Sequence, residues 1–119
     1  MTTSEDLLAA NGVDYDEAIE RFGGNKELYK RIAVKFGDDP HFAALNDAID
    51  RNDVEGAYHH AHALKGVAGN LSLGNLYRAA SDMTEALRCG DMTTAHSLMG
   101  LVRETHASAL IGVEQLKRM

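Results

Sequence analysis

The sequence is poor in cysteine, proline and aromatic residues, with one cysteine, one proline and no tryptophan among 119 residues. A single cysteine, Cys89, excludes an intramolecular disulfide framework and a zinc site built from cysteines, and it fits a reducing compartment. No apolar run approaches the roughly 20 residues that a membrane-spanning helix needs. The N-terminus also lacks the basic and apolar regions of a signal peptide. We therefore expect a cytoplasmic protein with no membrane partner.

The charges are mixed along the chain, and no block of one sign is present. Eighteen acidic and twelve basic residues give a formal net charge of -6. Nucleic-acid binding is typical of basic patches, so this balance disfavours nucleic acid as a partner. The length is typical of one domain, and no linker, internal repeat or low-complexity tract divides the chain. We predict a single domain over residues 1–119.

Strand patterns are also absent, whereas glycines and capping residues separate segments of helical length. Short helices are predicted from Ser4 to Ala10 and, after a capping box of Asp14 and Glu17, to Arg21. Longer amphipathic segments follow the caps Asn25, Asp39, Asp53 and Asp91, with a further segment over 74–89. The sequence therefore predicts an all-α fold, an antiparallel four-helix bundle with short additional N-terminal helices.

Apolar residues at helical spacing indicate which faces are buried. After the Asn25 cap, Leu28, Ile32 and Phe36 recur at i, i+4 and i+8. Pro40 then leaves open whether one long helix bends or two helices meet. The segment that follows Asp53 has its own predicted core face: Val54, Ala57, Ala61, Leu64, Ala68 and Leu71.

The stretch from Tyr58 to Asn70 departs from a helix made only for stability. Gly66 and Gly69 stand in its interior, where a glycine costs about 1 kcal/mol relative to alanine. Both lie on the same side as His62, away from the core face. The helix therefore has a bare strip beside one histidine, and close approach by another molecule is a reason to accept that cost.

Lys65 stands three residues after His62, so its side chain can reach the space above the imidazole. A cation there stabilises an anionic group on the ring and disfavours the imidazolium, which keeps a nitrogen lone pair free. A neutral imidazole, a cation and an open approach are what phosphoryl transfer to nitrogen needs, because such transfer depends mainly on positioning and charge stabilisation.

The run His-Ala-Leu-Lys-Gly-Val-Ala-Gly-Asn-Leu at 62–71 resembles the signature of histidine phosphotransfer (HPt) domains, His-x-Leu-Lys-Gly followed by Ala-Gly-Asn-Leu. Similarity in the flanking segments extends the resemblance to roughly residues 12–117. The chain departs from the family at one point. Many members have glycine and a small residue after the Asn-Leu pair, where this chain has Ser72-Leu73-Gly74. We expect the connection between the two helices to differ locally.

The resemblance implies a carrier in a multistep phosphorelay, which accepts a phosphoryl group from the aspartate of one receiver domain and passes it to another. It implies that His62 is phosphorylated, that Lys65 stabilises the phosphate and that Gly66 gives the receiver steric access. The implied partners are receiver domains of a hybrid sensor histidine kinase and a response regulator. No intrinsic cofactor is expected, since magnesium belongs to the receiver. The chain has no ATP-binding motif, so we expect no autokinase activity.

A docking surface for the receiver is predicted around His62, on a chain that we expect to be monomeric. Its predicted members lie on the histidine segment and on the segment that follows Asn25: Tyr58, His59, Gly69, Ile32 and Phe36.

Two other functions stay open. One is an adaptor that binds receiver domains without transferring a phosphoryl group, although such a protein could dispense with His62. The other is a metal-binding bundle that uses the i, i+3 pair His59 and His62. No Glu-x-x-His pair and no second cluster supplies further ligands, so we predict no metal site.

Overall fold

The computed structural model describes residues 2–119, and these residues fold into seven α-helices and one short 3-10 helix. Within them, Val13 and Leu73 form an isolated antiparallel bridge. No helix among these residues is long and apolar enough to span a bilayer. The all-α prediction is confirmed. The helices, in chain order, are α1 (Ser4–Ala10), α2 (Tyr15–Arg21), α3 (Lys26–Ala33), the 3-10 helix (Val34–Asp38), α4 (His41–Asp50), α5 (Val54–Asn70), α6 (Gly74–Arg88) and α7 (Met92–Lys117).

The bundle is formed by the helices from α4 to α7. α5 packs between α4 and α6, and α7 packs against both α6 and α4. Connections of three residues join each helix of this set to the next, so consecutive helices run antiparallel. The short helices α1 and α2 precede the bundle, as predicted, and α1 packs on α7.

The chain around Pro40 forms two helices rather than one bent helix. α3 ends at Ala33, and the 3-10 helix separates it from α4. The Asp39 carboxylate accepts a hydrogen bond of 2.9 Å from the His41 amide at the start of α4. α3, the 3-10 helix and α4 all pack against α7.

The helix starts are set by side chains that cap free amides. The four predicted caps that accept a hydrogen bond from the amide three residues later are Asp14, Asn25, Asp53 and Asp91. The capping box at Asp14 is only half formed. The Glu17 amide donates to Asp14, but the Glu17 carboxylate accepts hydrogen bonds from Arg21 and Ser72 instead of reaching back to the cap.

The buried face of α3 differs from the predicted stripe. Ile32 is 40% exposed, and Leu28 is only half-buried. The residues that enter the core are Tyr29, Ala33 and Phe36, at 0%, 0% and 3% exposure. Within α3 the buried face is therefore shifted by one residue, about 100° around the helix axis, whereas Phe36, in the 3-10 helix, is buried as predicted.

Tyr29 explains the shift, because its ring and its hydroxyl both have partners in the interior. Its ring makes edge contacts with Tyr15 and Phe22, at centroid distances of 6.1 and 5.3 Å. Its hydroxyl donates a hydrogen bond of 2.7 Å to the carbonyl of Leu71, just past the end of α5. Burial raises the pKa of the Tyr29 hydroxyl, which therefore stays protonated and remains a donor. Tyr29 thus fixes α3 against the end of α5.

We expect Tyr29→Phe to lower the free energy of unfolding by about 1–3 kcal/mol, because the buried Leu71 carbonyl then loses its donor. The ring contacts remain, so the loss reports the hydrogen bond rather than a cavity. Tyr77→Phe is the control: Tyr77 is 40% exposed, and its hydroxyl makes no hydrogen bond within residues 2–119. Urea unfolding of the two variants and the wild type measures the difference, and equal stability of the two variants would contradict the assignment.

Candidate functional site

The helix α5 has one packed face and one bare face. Its fully buried residues are Ala57, Ala61, Leu64 and Ala68, all at 0% exposure. His59, His62 and Gly66 are exposed on the opposite side. The predicted placement of His62 and Gly66 away from the core is confirmed.

The ring of Tyr58 lies beside the imidazole of His62. The two ring centroids are 6.0 Å apart and the planes differ by 18°, so the rings are roughly parallel. The Tyr58 and His59 rings lie edge to face, with their centroids 6.0 Å apart and an interplanar angle of 62°. The structure therefore brings Tyr58 and His59 next to His62, where the docking surface is predicted.

The two glycines of α5 have different surroundings. A Cβ added to Gly66 would meet no atom within 4 Å, whereas a Cβ on Gly69 would lie 3.1 Å from two atoms of the Tyr77 ring. Gly69 therefore makes room for a neighbouring side chain of the same protein. No packing contact explains Gly66, which leaves open space in the turn after His62.

Lys65 extends toward α6. Its Nζ lies 6.0 Å from the centroid of the Tyr77 ring. The Arg88 guanidinium lowers the pKa of the Glu85 carboxyl by hydrogen bonding, and the charge of Lys65 adds to that shift. Because Tyr77 and Glu85 both belong to α6, the lysine reaches across the groove between α5 and α6.

His62 and Lys65 border one cavity of about 560 Å³. Its walls come from three parts of the chain: α2, α5 with the turn that follows it, and the first turn of α6. Besides His62, three of the lining side chains are basic and one is a carboxylate. The lining residues are Glu17, Arg21, His62, Lys65, Gly66, Ala68, Gly69, Asn70, Ser72, Gly74, Tyr77 and Arg78.

Sequence reasoning missed the walls contributed by α2 and α6. Tyr77 and Arg78 could have been predicted from the sequence, because a three-residue turn places the start of α6 beside the end of α5. Glu17 and Arg21 gave no such signal, because nothing in the sequence indicates where α2 packs.

The turn between α5 and α6 holds α2 in place. Ser72 has φ +56°, a left-handed conformation that favours glycine, and its buried hydroxyl donates a hydrogen bond of 2.9 Å to Glu17 Oε1. The Ser72 carbonyl also accepts a hydrogen bond of 2.9 Å from the Asp14 amide. The Ser72 hydroxyl, with Arg21, lowers the pKa of the Glu17 carboxyl, which therefore stays ionised. The connection at 72–74 thus makes specific contacts with α2.

The structure does not bring Ile32 and Phe36 to the cavity at His62. They border a separate cavity of about 270 Å³, together with residues at the C-terminal end of α5. Phe36 is 3% exposed and packs against the His106 ring at a centroid distance of 5.6 Å. The prediction that Phe36 belongs to an exposed docking surface is therefore wrong, because its ring lies in the core. Ile32 is 40% exposed, and its docking role stays a prediction.

The other histidines around His62 do not converge on one point. Within residues 2–119, no three side chains of histidine, cysteine, aspartate or glutamate come together in a group that could hold a metal ion.

Comparison with known protein families identifies the family of the bundle. Residues 39–119, more than half of the chain, match the family model described as the Hpt domain. The matched range covers the bundle from α4 to α7, whereas α1, α2 and α3 lie before it. No curated protein and no solved structure matched the chain.

We expect Gly66→Ala to raise the free energy of unfolding by about 1 kcal/mol, because the new methyl group meets no atom and alanine favours the helix. Gly69→Ala should raise the free energy of unfolding by less, because its methyl group would press on the Tyr77 ring. Thermal or urea unfolding of both variants measures the difference. A loss of stability in Gly66→Ala would show that the fold itself requires this glycine.

Proposed function

Because the chain belongs to the Hpt domain family, whose members transfer phosphoryl groups through a histidine in phosphorelays, we propose that it relays a phosphoryl group between the aspartates of receiver domains through His62. The observation that carries this proposal is the setting of His62. The ring is exposed, open space lies at Gly66, and the cavity beside it carries three cationic side chains against one carboxylate.

The proposed step exchanges one bond to phosphorus for another. The unprotonated nitrogen of the His62 imidazole attacks the phosphorus of the receiver's aspartyl phosphate. A P–N bond forms as the P–O bond to the aspartate breaks, and the carboxylate leaves with the electron pair of that bond. No proton has to leave the attacking nitrogen. The reverse step, with a second receiver, regenerates the free imidazole.

Lys65 is the proposed phosphate-stabilising residue. It borders the same cavity as His62, and its ammonium group reaches over the groove between α5 and α6. A cation in this position stabilises the negative charge that the phosphoryl group brings to the ring. Phosphoryl transfer needs little more from the carrier than such positioning and charge.

Gly66 is the proposed access point for the receiver. Side chains on a helix lean toward its N-terminus and over the residues three and four positions earlier. A side chain at 66 would therefore lean over His62. Its absence leaves the approach to the ring open.

The Hpt family consists of phosphocarriers that interact with receiver domains. For this chain we propose the receivers of a hybrid sensor histidine kinase and a response regulator as donor and acceptor, with magnesium held by the receiver. We further propose a cytoplasmic monomer, without autokinase activity, in which residues 1–119 act as one unit. The α2 residues on the wall of the cavity support the last point.

We expect His62→Gln to accept no label from a ³²P-phosphorylated receiver domain, because the nucleophilic ring is gone. His96→Gln is the matched control, since His96 is also an exposed histidine on a helix, lies on α7 and does not line the His62 cavity, and it should accept label as the wild type does. Gel autoradiography with an acid-lability check measures the transfer. Equal labelling of His62→Gln and wild type would place the phosphoryl group elsewhere. Receiver binding without labelling of any protein would favour an adaptor.

We expect Gly66→Leu to slow phosphoryl transfer by on the order of 100-fold, because the leucine would displace the receiver from its reactive position. Gly100→Leu is the matched control: Gly100 is an exposed glycine inside α7, and a Cβ there also meets no atom within 4 Å. Both variants should fold with similar gains in helix stability. Rapid-quench kinetics measures the rates, and transfer by Gly66→Leu at the wild-type rate would refute the steric role of this position.

A further inference from the structure

We infer that Arg21 and Arg78 form a cationic rim on the His62 cavity, and that the receiver domain presents acidic side chains to this rim. The inference rests on the proposed function for the identity of the partner as a receiver domain. It adds that two arginines, from helices other than the histidine helix, select among receivers by charge.

The charge of the cavity is opposite to that of the chain. The chain carries a formal net charge of -6, yet the cavity is lined by Arg21, Lys65 and Arg78 against the single carboxylate of Glu17. A local basic surface on an acidic protein attracts anionic groups within a short range and repels basic ones. The partner side chains that fit this surface are therefore aspartate and glutamate.

Arg21 is held in position but keeps most of its hydrogen-bonding capacity. Its Nη2 donates to Glu17 Oε1 at 3.0 Å, and Glu17 is fixed in turn by the Ser72 hydroxyl. The side chains of Arg21 and Glu17 are 46% and 54% exposed, so their mutual attraction is weakened by water. A guanidinium has five N–H donors, and this pair uses one of them. Within residues 2–119 the remaining donors have no side-chain partner, so they can bind a partner carboxylate.

Arg78 marks the edge of the basic surface. Its Nη2 donates to Asn75 Oδ1, and its side chain borders both the His62 cavity and a second cavity of about 420 Å³. The second cavity is lined by four acidic residues: Glu5, Asp14, Asp16 and Glu17. The sign of the surface charge therefore changes at Arg78, so a partner carboxylate is attracted to the His62 side and repelled from the other. This boundary therefore selects the orientation in which the receiver binds, as well as selecting for acidic side chains on its surface.

Arginine is suited to this role, because its planar group binds a carboxylate through two parallel hydrogen bonds. Charged groups at the rim of an interface mainly accelerate association, and the acceleration falls with ionic strength. The expected signature of the rim is therefore a salt-dependent association rate that decreases when the two arginines are neutralised.

The test compares the double variant Arg21→Gln/Arg78→Gln with a control of equal net charge, Arg51→Gln/Arg103→Gln. The control matches the contacts of both arginines. Arg51 forms an i,i+4 ion pair with Asp47, as Arg21 does with Glu17. Arg103 donates a hydrogen bond to the side-chain oxygen of Asn46, as Arg78 does to that of Asn75. The probe is the unphosphorylated receiver domain that binds the wild type most tightly in a panel. Stopped-flow fluorescence gives the association rate constant at a series of salt concentrations, and circular dichroism checks the fold of each variant.

We expect the double variant Arg21→Gln/Arg78→Gln, the rim variant, to associate with the receiver on the order of tenfold more slowly than wild type at low salt. Its association rate should also depend less on salt concentration. The control should keep the wild-type rate and salt dependence. Equal association by the rim variant and the control would overturn the inference. If the wild type takes up no label at His62 while its association still depends on the two arginines, the rim stands and the proposed phosphotransfer falls. If His62 is labelled but the rim variant associates as the control does, the proposed phosphotransfer stands and the inference about the rim falls.

Discussion

The division of α5 into a packed face and a bare face is the constraint on which the rest of the structure depends. Its buried face consists mainly of alanine, with no exposed surface at Ala57, Ala61 or Ala68. Small side chains allow neighbouring helices to approach closely, and α4 and α6 occupy the two flanks. Only the strip that carries His62 and Gly66 then remains open. The same helix is therefore the centre of the core and the floor of the cavity.

The chemistry of the cavity arises from segments that are distant in the sequence. α5 supplies the imidazole and the ammonium group, whereas the guanidinium groups come from α2 and α6. The turn at Ser72 connects these segments, because its backbone continues α5 into α6 while its hydroxyl binds Glu17 of α2. Net charge averages over the whole surface and conceals this arrangement. The side chains within a few ångströms of His62 determine what can approach it.

Local signals made most of the fold predictable. Asp14, Asn25, Asp53 and Asp91 cap the helices that they were expected to cap, because a cap needs only a short side chain and an amide three residues away. The bare strip at His62 and Gly66 followed from helical periodicity alone. The stripe of α3 was wrong at Ile32, since the periodicity did not anticipate that the hydroxyl of Tyr29 finds a buried carbonyl. The α2 wall could not be predicted, because it depends on packing between distant segments.

The hydrogen bond from Tyr29 to Leu71 has a consequence for where this domain is delimited. The family match begins at residue 39, yet Tyr29 lies before that point and satisfies a carbonyl inside the matched range. Arg21 and Glu17 also precede it and line the cavity. A fragment excised at the family boundary would keep the histidine helix, but it would expose the apolar surface that α3 covers and remove one side of the site. Grafting experiments on this protein should therefore transplant the N-terminal helices together with the bundle.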